Sequence, residues 1–204
     1  MTHGRPACRI AGAILAGGKA RRLGGIVKGT LEVDPGVTIV QRLIGEFSRA
    51  GIEEVVIATG DPGPYLRYGR EIVADIRPCM GPLGGIEAAL EHLAGRCDAV
   101  LFLPCDLPRI GADEMSALRT AFAAGPARVV FAESGDFFGH ALCSVVHIAV
   151  LPEVSAALDR GERRVRDLWR RLGALGVPFD DESRFLNINE PEDLNRWQAS
   201  RKKS

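Results

Sequence analysis

Residues 9–28 of the chain read RIAGAILAGGKARRLGGIVK, a short apolar segment followed by a loop rich in glycines and basic residues. The segment 9–15 has the length and composition of a buried β-strand. Glycines that follow a strand allow backbone N–H groups to approach a phosphate chain, and basic side chains bind its charge. Four basic residues are available here: Lys19, Arg21, Arg22 and Lys28. We therefore expect a phosphate-binding loop between the first strand and residue 29.

This loop does not match the usual phosphate motifs. It has neither the G-x-G-x-x-G pattern nor the complete P-loop pattern. The alternative interpretation is a surface loop whose charges are only solvated. The position directly after a buried strand favours the phosphate interpretation, because glycine-rich turns between a strand and a helix recur in phosphate sites.

The rest of the sequence alternates apolar strands with amphipathic helices. Strands are predicted at 55–58, 71–74, 99–103, 128–132 and 142–147, with a short last strand near Phe185. Helices are predicted at 38–50, 86–93, 113–124 and 165–172, and a final helix begins at Pro191. This alternation predicts an α/β fold. We expect a single domain over residues 9–198, with a mostly parallel sheet flanked by helices and with tails at 1–8 and 199–204.

The composition of the chain excludes several classes of protein. Its 204 residues include 26 basic and 26 acidic side chains, so the formal net charge of zero gives no support for a nucleic-acid partner. Five cysteines without a C-x-x-C pair predict neither a disulfide framework nor a structural zinc site. No apolar run reaches the roughly 18 residues of a membrane span. These features predict a cytoplasmic protein that binds neither nucleic acid nor membranes.

Two further segments with distinctive residues follow predicted strands. Asp75 comes directly after the strand at 71–74, with Gly81-Pro82-Leu83-Gly84-Gly85 downstream, and Asp106 follows the most apolar strand. Ligands of parallel sheets bind outside the carboxyl ends of the strands, so we expect these segments and the first loop at one rim. Asp106 is a candidate Mg2+ ligand, whereas Asp75 has an alternative role as a turn cap. Cys105 is expected to be a buried small residue and not a nucleophile.

These motifs together resemble the nucleotidyltransferase superfamily with a Rossmann-like fold. The resemblance rests on L-A-G-G-x-x-x-R-x-G with Lys28, on Asp75 with G-P-L-x-G, and on P-C-D-x-P around Asp106. Two later segments resemble signatures of the molybdenum cofactor guanylyltransferase family: Gly161-Glu162-Arg163-Arg164-Val165 and Asn187-Ile188-Asn189-Glu190-Pro191-Glu192-Asp193-Leu194. The resemblance covers nearly the whole chain, from Ile10 to Trp197.

The resemblance implies a role for each matching residue. The implied catalytic residues are Lys28, on the phosphates, and Asp106, which would hold Mg2+ as the cofactor. The implied nucleotide-binding set is Leu15, Ala16, Gly17, Gly18, Arg22, Lys28, Asp75, Gly81, Pro82, Leu83 and Asp106. A weaker implied set, Arg163, Arg164, Asn187 and Asn189, would bind the second substrate. For these residues a solvated basic helix face and a helix cap are the alternatives.

The sequence departs from the family pattern at three places. The stretch Ala58-Thr59-Gly60 lacks the usual Asn, Val27 stands in place of an Asp before Lys28, and His140 is followed by Ala141 in place of Pro. The reaction implied by the resemblance is transfer of GMP from GTP to the phosphate of molybdopterin, with release of pyrophosphate. Transient contact with cofactor-insertion proteins or molybdoenzymes would follow. The alternatives are a CTP-using or sugar-phosphate nucleotidyltransferase and a non-catalytic nucleotide-binding relative.

Overall fold

The computed structural model describes residues 8–17, 19–20, 26–189, 193 and 197. The strands are β1 Ile10–Leu15, β2 Lys19–Ala20, β3 Ile26–Val27, β4 Glu32–Asp34, β5 Val37–Thr38, β6 Val55–Ala58, β7 Glu71–Val73, β8 Ala99–Pro104, β9 Val129–Ser134, β10 Asp136–His147 and β11 Leu175–Pro178. The α-helices are α1 Ile39–Arg49, α2 Pro82–His92, α3 Ala112–Ala124, α4 Leu151–Asp159 and α5 Val165–Arg171. Short 3-10 helices cover Lys28–Thr30, Gly63–Tyr68, Ile148–Val150 and Glu182–Phe185.

Seven strands form the central sheet, in the order β11-β9-β10-β8-β1-β6-β7. Strands β8, β1, β6 and β7 are mutually parallel, and β11 is parallel to β9. Among the described strands of this sheet, β10 alone runs in the opposite direction, antiparallel to its neighbours β8 and β9. The prediction of a mostly parallel sheet flanked by helices is therefore confirmed.

Apolar side chains are buried on both faces of the sheet. Alternate residues of β1 point to opposite faces, so Ile14 belongs to one core, while Ala13 and Leu15 belong to the other. The first core is covered by α1 and α3, and the second is covered by α2, α4 and α5. Burial on both faces explains why the central strands are continuously apolar, which is the pattern that the sequence displays.

The ends of the four parallel strands lie at the same level of the sheet. Leu15, the last residue of β1, pairs with Ala58 of β6 and with Pro104 of β8. Ala58 in turn pairs with Val73 of β7. The residues that follow these strands therefore emerge at one rim of the sheet. This agrees with the prediction that the segments after β1, β7 and β8 lie together.

Several predicted elements differ from the observed ones. The strand predicted near Phe185 is wrong, because this residue ends a 3-10 helix and the last strand of the sheet is β11. Helix α4 was not predicted, and α2 begins at Pro82, ahead of the predicted start at residue 86. The helix expected from Pro191 lies outside the described residues, apart from Asp193 and Trp197. Among the helices that the structure describes, none is long and apolar enough to cross a membrane.

Candidate active site

A pocket of about 420 Å³ lies at the rim where the four parallel strands end. Seven residues of the predicted nucleotide-binding set line it: Leu15, Gly17, Lys28, Asp75, Gly81, Pro82 and Asp106. Further lining residues that the sequence analysis did not single out for binding are Ala58, Cys79, Gly85, Pro104, Cys105 and Leu142. Residues as far apart in sequence as Leu15 and Leu142 thus meet in one concave site, which is the usual form of a small-molecule pocket.

Helix α2 closes one side of this pocket by approaching the strands closely. Its residue Gly85 faces the rim, and a Cβ atom there would lie 3.3 Å from Leu15 Cδ2 and 3.8 Å from Asp75 Oδ1. A larger residue at this position would push the helix away from the strands or fill the space beside Asp75. Gly85 therefore allows α2 to pack closely against the strands at the rim.

The two residues with predicted catalytic roles form an ion pair. Lys28 Nζ lies 3.2 Å from Asp106 Oδ2 and donates a second hydrogen bond to Asn189 Oδ1 at 2.5 Å. Both charged side chains are partly exposed, 20% for Lys28 and 23% for Asp106, so a ligand in the pocket can reach them. The arrangement offers one cation for a phosphate and one carboxylate for a metal ion at the same place.

The carboxyl-terminal segment holds Asn189 at this ion pair. The backbone N–H of Ile188 donates to the carbonyl of Asp106 at 2.8 Å, and the N–H of Asn189 donates to Asp193 Oδ2 at 3.0 Å. Trp197 is buried, and its Nε1 donates to the carbonyl of Val33 at 2.7 Å. Asn189 therefore contacts Lys28 through a segment anchored at several points.

Asp75 occupies a different environment in the same pocket. It lies close to Gly60, where a Cβ atom would be 3.3 Å from Asp75 Oδ2, and no described residue donates a hydrogen bond to its carboxylate. Burial raises the pKa of Asp75, because a carboxylate loses hydration there without gaining a partner. An unpaired carboxylate facing a pocket is suited to a ligand with hydroxyl or N–H donors, or to a metal ion.

A second pocket of about 400 Å³ adjoins the first. Pro82, Pro104, Asp106 and Leu142 line both, so Asp106 stands where the two meet. The second pocket is also lined by five residues with polar or charged side chains: His140, Arg163, Arg164, Arg166 and Asn187. Three of them, Arg163, Arg164 and Asn187, belong to the set that the sequence analysis expected at a second substrate.

Arg163 and Arg164 present free positive charge to the second pocket. Both are exposed, and no carboxylate of the described residues forms an ion pair with either. The neighbouring Arg160 and Arg171 differ, because Glu162 lies 2.9 Å from each of them and neutralises part of their charge. This difference between unpaired and paired arginines favours the interpretation of Arg163 and Arg164 as an anion-binding site over that of a solvated basic helix face.

A β-bulge in β10 shapes the wall that the two pockets share. His140 pairs with Ala132 and Ser144 pairs with Phe131, the neighbour of Ala132. Residues 141–143 of β10 therefore have no pairing partner in β9 and form the bulge. Trp169 of α5 donates from Nε1 to the carbonyl of Ala141 at 2.9 Å and fixes the bulge. This contact joins the segment that carries Arg163 and Arg164 to the strand that carries Leu142.

His140 lies on the bulged strand in a half-buried position. Its ring stacks on Phe185 with centroids 4.2 Å apart, and its Nε2 is 2.7 Å from Ser134 Oγ. Burial lowers the pKa of His140, which favours a neutral imidazole at neutral pH. The residue therefore contributes shape and hydrogen bonding to the second pocket, and no fixed charge.

The remaining predicted site residues have other environments. Leu83 is a residue of α2 and is fully buried in the second core. Ala16 is buried, and its carbonyl accepts a hydrogen bond from Tyr65 in the interior. Gly18 and Arg22 lie outside the described residues. Cys105 is buried, as expected, and burial raises the pKa of its thiol to about 12, so it is no thiolate nucleophile at neutral pH.

The donor set of the first pocket fits a Mg2+ ion bound together with phosphates. In such sites the protein supplies one or two carboxylates, and phosphates and water complete the coordination. Asp106 and Asp75 line the same pocket and are both partly accessible. Within the ranges that the structure describes, no group of three His, Cys, Asp or Glu side chains could hold a metal ion by itself.

Comparisons with known proteins match the fold and the motifs. A family model described as "MobA-like NTP transferase domain" matches residues 12–175. A "Molybdenum cofactor guanylyltransferase" of Cereibacter sphaeroides is 37% identical over 195 residues, which cover 94% of this chain and 96% of the relative. A protein of the same name from Photobacterium profundum is 31% identical over 185 residues, which cover 90% of this chain and 93% of the relative.

A solved structure supports the fold assignment. The structure titled molybdopterin-guanine dinucleotide biosynthesis protein A, from Archaeoglobus fulgidus, superposes with a TM-score of 0.78 at 22% identity. The match covers 95% of this chain and all of the other chain. These comparisons confirm the resemblance that the sequence motifs carry, and the chain belongs to the MobA-like NTP transferase domain family.

Proposed function

We propose that the protein transfers GMP from GTP to the phosphate of molybdopterin and releases pyrophosphate. The single observation that carries this proposal is that two pockets meet at Asp106. The first contains Gly17, Lys28 and Asp75, a set suited to a nucleotide. The second contains Arg163 and Arg164, a set suited to the phosphate of an acceptor. Relatives over 90% or more of the chain are named molybdenum cofactor guanylyltransferase, which supports this choice of substrates.

The proposed reaction is an in-line displacement at the α-phosphorus of GTP. A phosphate oxygen of molybdopterin forms the new bond to this phosphorus, and the bond to the β-phosphate breaks, so that pyrophosphate leaves. The attacking phosphate is already anionic at neutral pH, so the reaction needs no protein nucleophile. The protein's contribution is alignment of the two phosphates and stabilisation of developing charge.

Individual side chains have separate tasks in this proposal. Lys28 binds the β- and γ-phosphates and stabilises charge on the leaving pyrophosphate. Gly17 offers its backbone N–H to the nucleotide, and Asp75 binds a donor group of the nucleotide. Arg163 and Arg164 hold the acceptor phosphate on the opposite side of Asp106. Asn187 lines the acceptor pocket, and Asn189 holds the Lys28 ammonium through the hydrogen bond described above.

We further propose Mg2+ as the divalent cation of the reaction, held by Asp106 and by the nucleotide phosphates. When bound, such a cation neutralises phosphate charge and polarises the phosphorus–oxygen bonds. Because Asp106 is paired with Lys28 in the free protein, the proposal requires Lys28 to exchange its carboxylate partner for a phosphate. We place the reaction in the cytoplasm, where GTP is available, and expect transient transfer of the product to cofactor-insertion proteins or molybdoenzymes.

The test combines nucleotide binding with turnover. Calorimetric titration of GTP, CTP, ATP and UTP with Mg2+ is expected to show a preference for GTP that is lost when the metal is removed. Pyrophosphate release is then expected to depend on added molybdopterin. A preference for CTP would move the protein to the cytidylyl relatives, turnover with a sugar phosphate would replace molybdopterin as the acceptor, and binding without turnover would indicate a non-catalytic relative.

A further inference from the structure

Tyr65 is a buried residue in contact with two segments of the first pocket. It lies in the 3-10 helix Gly63–Tyr68, outside the predicted motifs, and it is 1% exposed. Its hydroxyl donates to the carbonyl of Ala16 at 3.2 Å. The same hydroxyl is packed against Gly29, the neighbour of Lys28, because a Cβ atom at Gly29 would lie 3.0 Å from it.

Tyr65 is the hydrogen-bond donor to the Ala16 carbonyl that has no competing acceptor among the described residues. Thr59 Oγ1 also lies 3.3 Å from that carbonyl, but it lies at the same distance from the carbonyl of Asp61, and one hydroxyl has a single proton to donate. Tyr65 has only the Ala16 carbonyl as an acceptor among the described residues. Burial raises the pKa of Tyr65, so the phenol keeps its proton and remains a donor throughout the neutral range.

The orientation of the Ala16 carbonyl fixes the direction of the next N–H group. The carbonyl of Ala16 and the N–H of Gly17 belong to one planar trans peptide unit, in which the two groups point in opposite directions. Tyr65 holds the carbonyl towards the interior, and Gly17 lines the pocket. No described residue accepts a hydrogen bond from the Gly17 N–H, so this donor is available to a ligand.

We propose that Tyr65 is a positioning residue that aims the Gly17 N–H at the phosphate chain of the bound nucleotide. It acts on the nucleotide through the Ala16–Gly17 peptide and makes no contact with the reacting atoms. Its packing against Gly29 keeps this peptide at a fixed distance from Lys28, so that both donors address the same phosphate chain. The inference rests on the proposed nucleotide site and adds a residue that no motif indicates.

The substitution Tyr65→Phe tests this role, because it keeps the ring against Gly29 and removes only the hydroxyl. Removal of a hydrogen-bond donor to developing charge lowers kcat by about 10²- to 10³-fold. A misdirected donor has part of this effect, so we expect kcat of pyrophosphate release to fall by roughly 10- to 100-fold. The affinity for GTP, which is shared among many contacts, is expected to change by less than about threefold. A defect in general stability would instead change the amount of active protein and leave the kcat per active molecule unaltered.

Tyr68→Phe is the matched control, because it removes a phenol from the same 3-10 helix. The Tyr68 hydroxyl accepts from Thr38 Oγ1 at 3.0 Å and has no contact with the Ala16 carbonyl. A kcat for Tyr65→Phe within twofold of that of Tyr68→Phe would overturn the proposal. Thr59→Val is a second test: because Thr59 and Tyr65 share one acceptor, its effect combined with Tyr65→Phe should be non-additive.

The amide chemical shift of Gly17 supplies a readout that does not depend on the reaction. Hydrogen bonding to the Ala16 carbonyl affects the resonance of the amide in the same peptide unit, so the Gly17 resonance is expected to move in Tyr65→Phe and to keep its wild-type position in Tyr68→Phe. An unchanged Gly17 resonance in Tyr65→Phe would contradict the inference. Since this measurement uses the free protein, it separates a failure of the Tyr65 proposal from a failure of wild-type turnover.

Discussion

The ammonium group of Lys28 lies 3.2 Å from the carboxylate of Asp106, and Asp106 lines both pockets. Each charge is thus the partner of the other in the free protein, which avoids the penalty of an isolated, partly buried charge. Binding of a metal ion and a nucleotide can replace this pair by two new ones, carboxylate with metal and ammonium with phosphate. Substitutions of Lys28 and of Asp106 are therefore expected to have different effects on nucleotide binding and on the dependence of turnover on metal.

Asp106→Asn is expected to lower turnover by at least about 100-fold, because the amide cannot replace a carboxylate as the ligand of a divalent cation. The measurement is pyrophosphate release over a range of Mg2+ concentrations, together with the melting temperature. Asp98→Asn is the matched control, since Asp98 precedes the same strand, β8, at its opposite end and pairs with Arg9. Near-normal rates in Asp106→Asn would show that the metal assignment is wrong.

Lys28→Gln is expected to weaken GTP binding and to lower kcat by about 10²- to 10³-fold, because a charged donor to the leaving phosphates is lost. The comparison is with Arg128→Gln, which removes an exposed cation paired with Glu153 just before β9, at the end of the strands opposite the rim. If Lys28→Gln binds GTP and turns over like this control, Lys28 serves only to neutralise Asp106.

The general architecture of the rim could be predicted from the sequence. Strands β1 and β8 are long, apolar and buried on both faces, so their signals are unambiguous. Because parallel strands end at one edge, the sequence alone brings Gly17, Asp75 and Asp106 together. The contact between Lys28 and Asn189 joins residues 161 positions apart and depends on how the carboxyl-terminal segment crosses the site. No local pattern encodes such a contact.

The errors in the predicted elements have local physical reasons. Phe185 is buried by stacking on His140 and by contact with Phe179, and its apolar character suggested a strand although no ladder hydrogen bonds form there. Strand β11 has the sequence Leu-Gly-Val-Pro, which reads as a loop, and it forms because β9 offers a parallel partner. For α4 the signal was available: Val154, Ala157 and Leu158 follow helical spacing after a proline.

The second pocket could be predicted only in part. Arg163, Arg164 and Asn187 were indicated by their motifs, but the bulge that brings Ala141 and Leu142 to the wall arises from pairing between β9 and β10. Tyr65 carries no motif at all, because its role depends on a contact with the Ala16 carbonyl across 49 residues. Residues that act on a site through a second residue leave little trace in a single sequence.

Asp75→Asn is expected to raise the melting temperature at neutral pH while it impairs nucleotide binding. Burial raises the pKa of Asp75, so the folded state disfavours the ionised form and loses stability as the pH rises from the ordinary Asp pKa of about 3.9 through the higher folded value. The neutral amide avoids this loss. The melting temperatures of wild type and variant should therefore converge below about pH 4.

A pH series of melting temperatures checks this expectation, with Asp180→Asn as the control, since Asp180 is exposed and forms no ion pair within the described residues. A site residue that is unfavourable for stability is typical of binding sites, where function and stability compete. If Asp75→Asn is less stable than wild type at pH 7, then Asp75 holds the rim together and its structural role as a turn cap prevails.

The double substitution Arg163→Ala and Arg164→Ala is expected to raise KM for the acceptor by at least about tenfold, because charge-assisted hydrogen bonds to a phosphate contribute roughly 1.5–3 kcal/mol each. The affinity for GTP should be unchanged, since neither residue lines the first pocket. Arg160→Ala is the control, because its guanidinium is engaged by Glu162. An equal effect on GTP and on the acceptor would argue against a separate acceptor pocket.

Two tryptophans allow the same chemical change to be made at each side of Asp106. Trp169 donates from Nε1 to the carbonyl of Ala141 in the bulge, and Trp197 donates to the carbonyl of Val33 beneath the segment that carries Asn189. Replacing either by Phe removes one donor and keeps most of the buried ring. Each change should lower stability by about 1 kcal/mol and the melting temperature by about 2–4 °C.

The kinetic effects of these two substitutions should differ. Trp169→Phe loosens the bulge next to Arg163 and Arg164, so KM for the acceptor is expected to rise severalfold, with a smaller change in the affinity for GTP. Trp197→Phe loosens the contact of Asn189 with Lys28, so kcat and GTP binding are expected to suffer while KM for the acceptor is retained. Steady-state kinetics with each substrate varied in turn distinguish the two patterns. Identical patterns in both variants would mean that the two pockets respond as one unit, and the assignment of one substrate to each would then have to be abandoned.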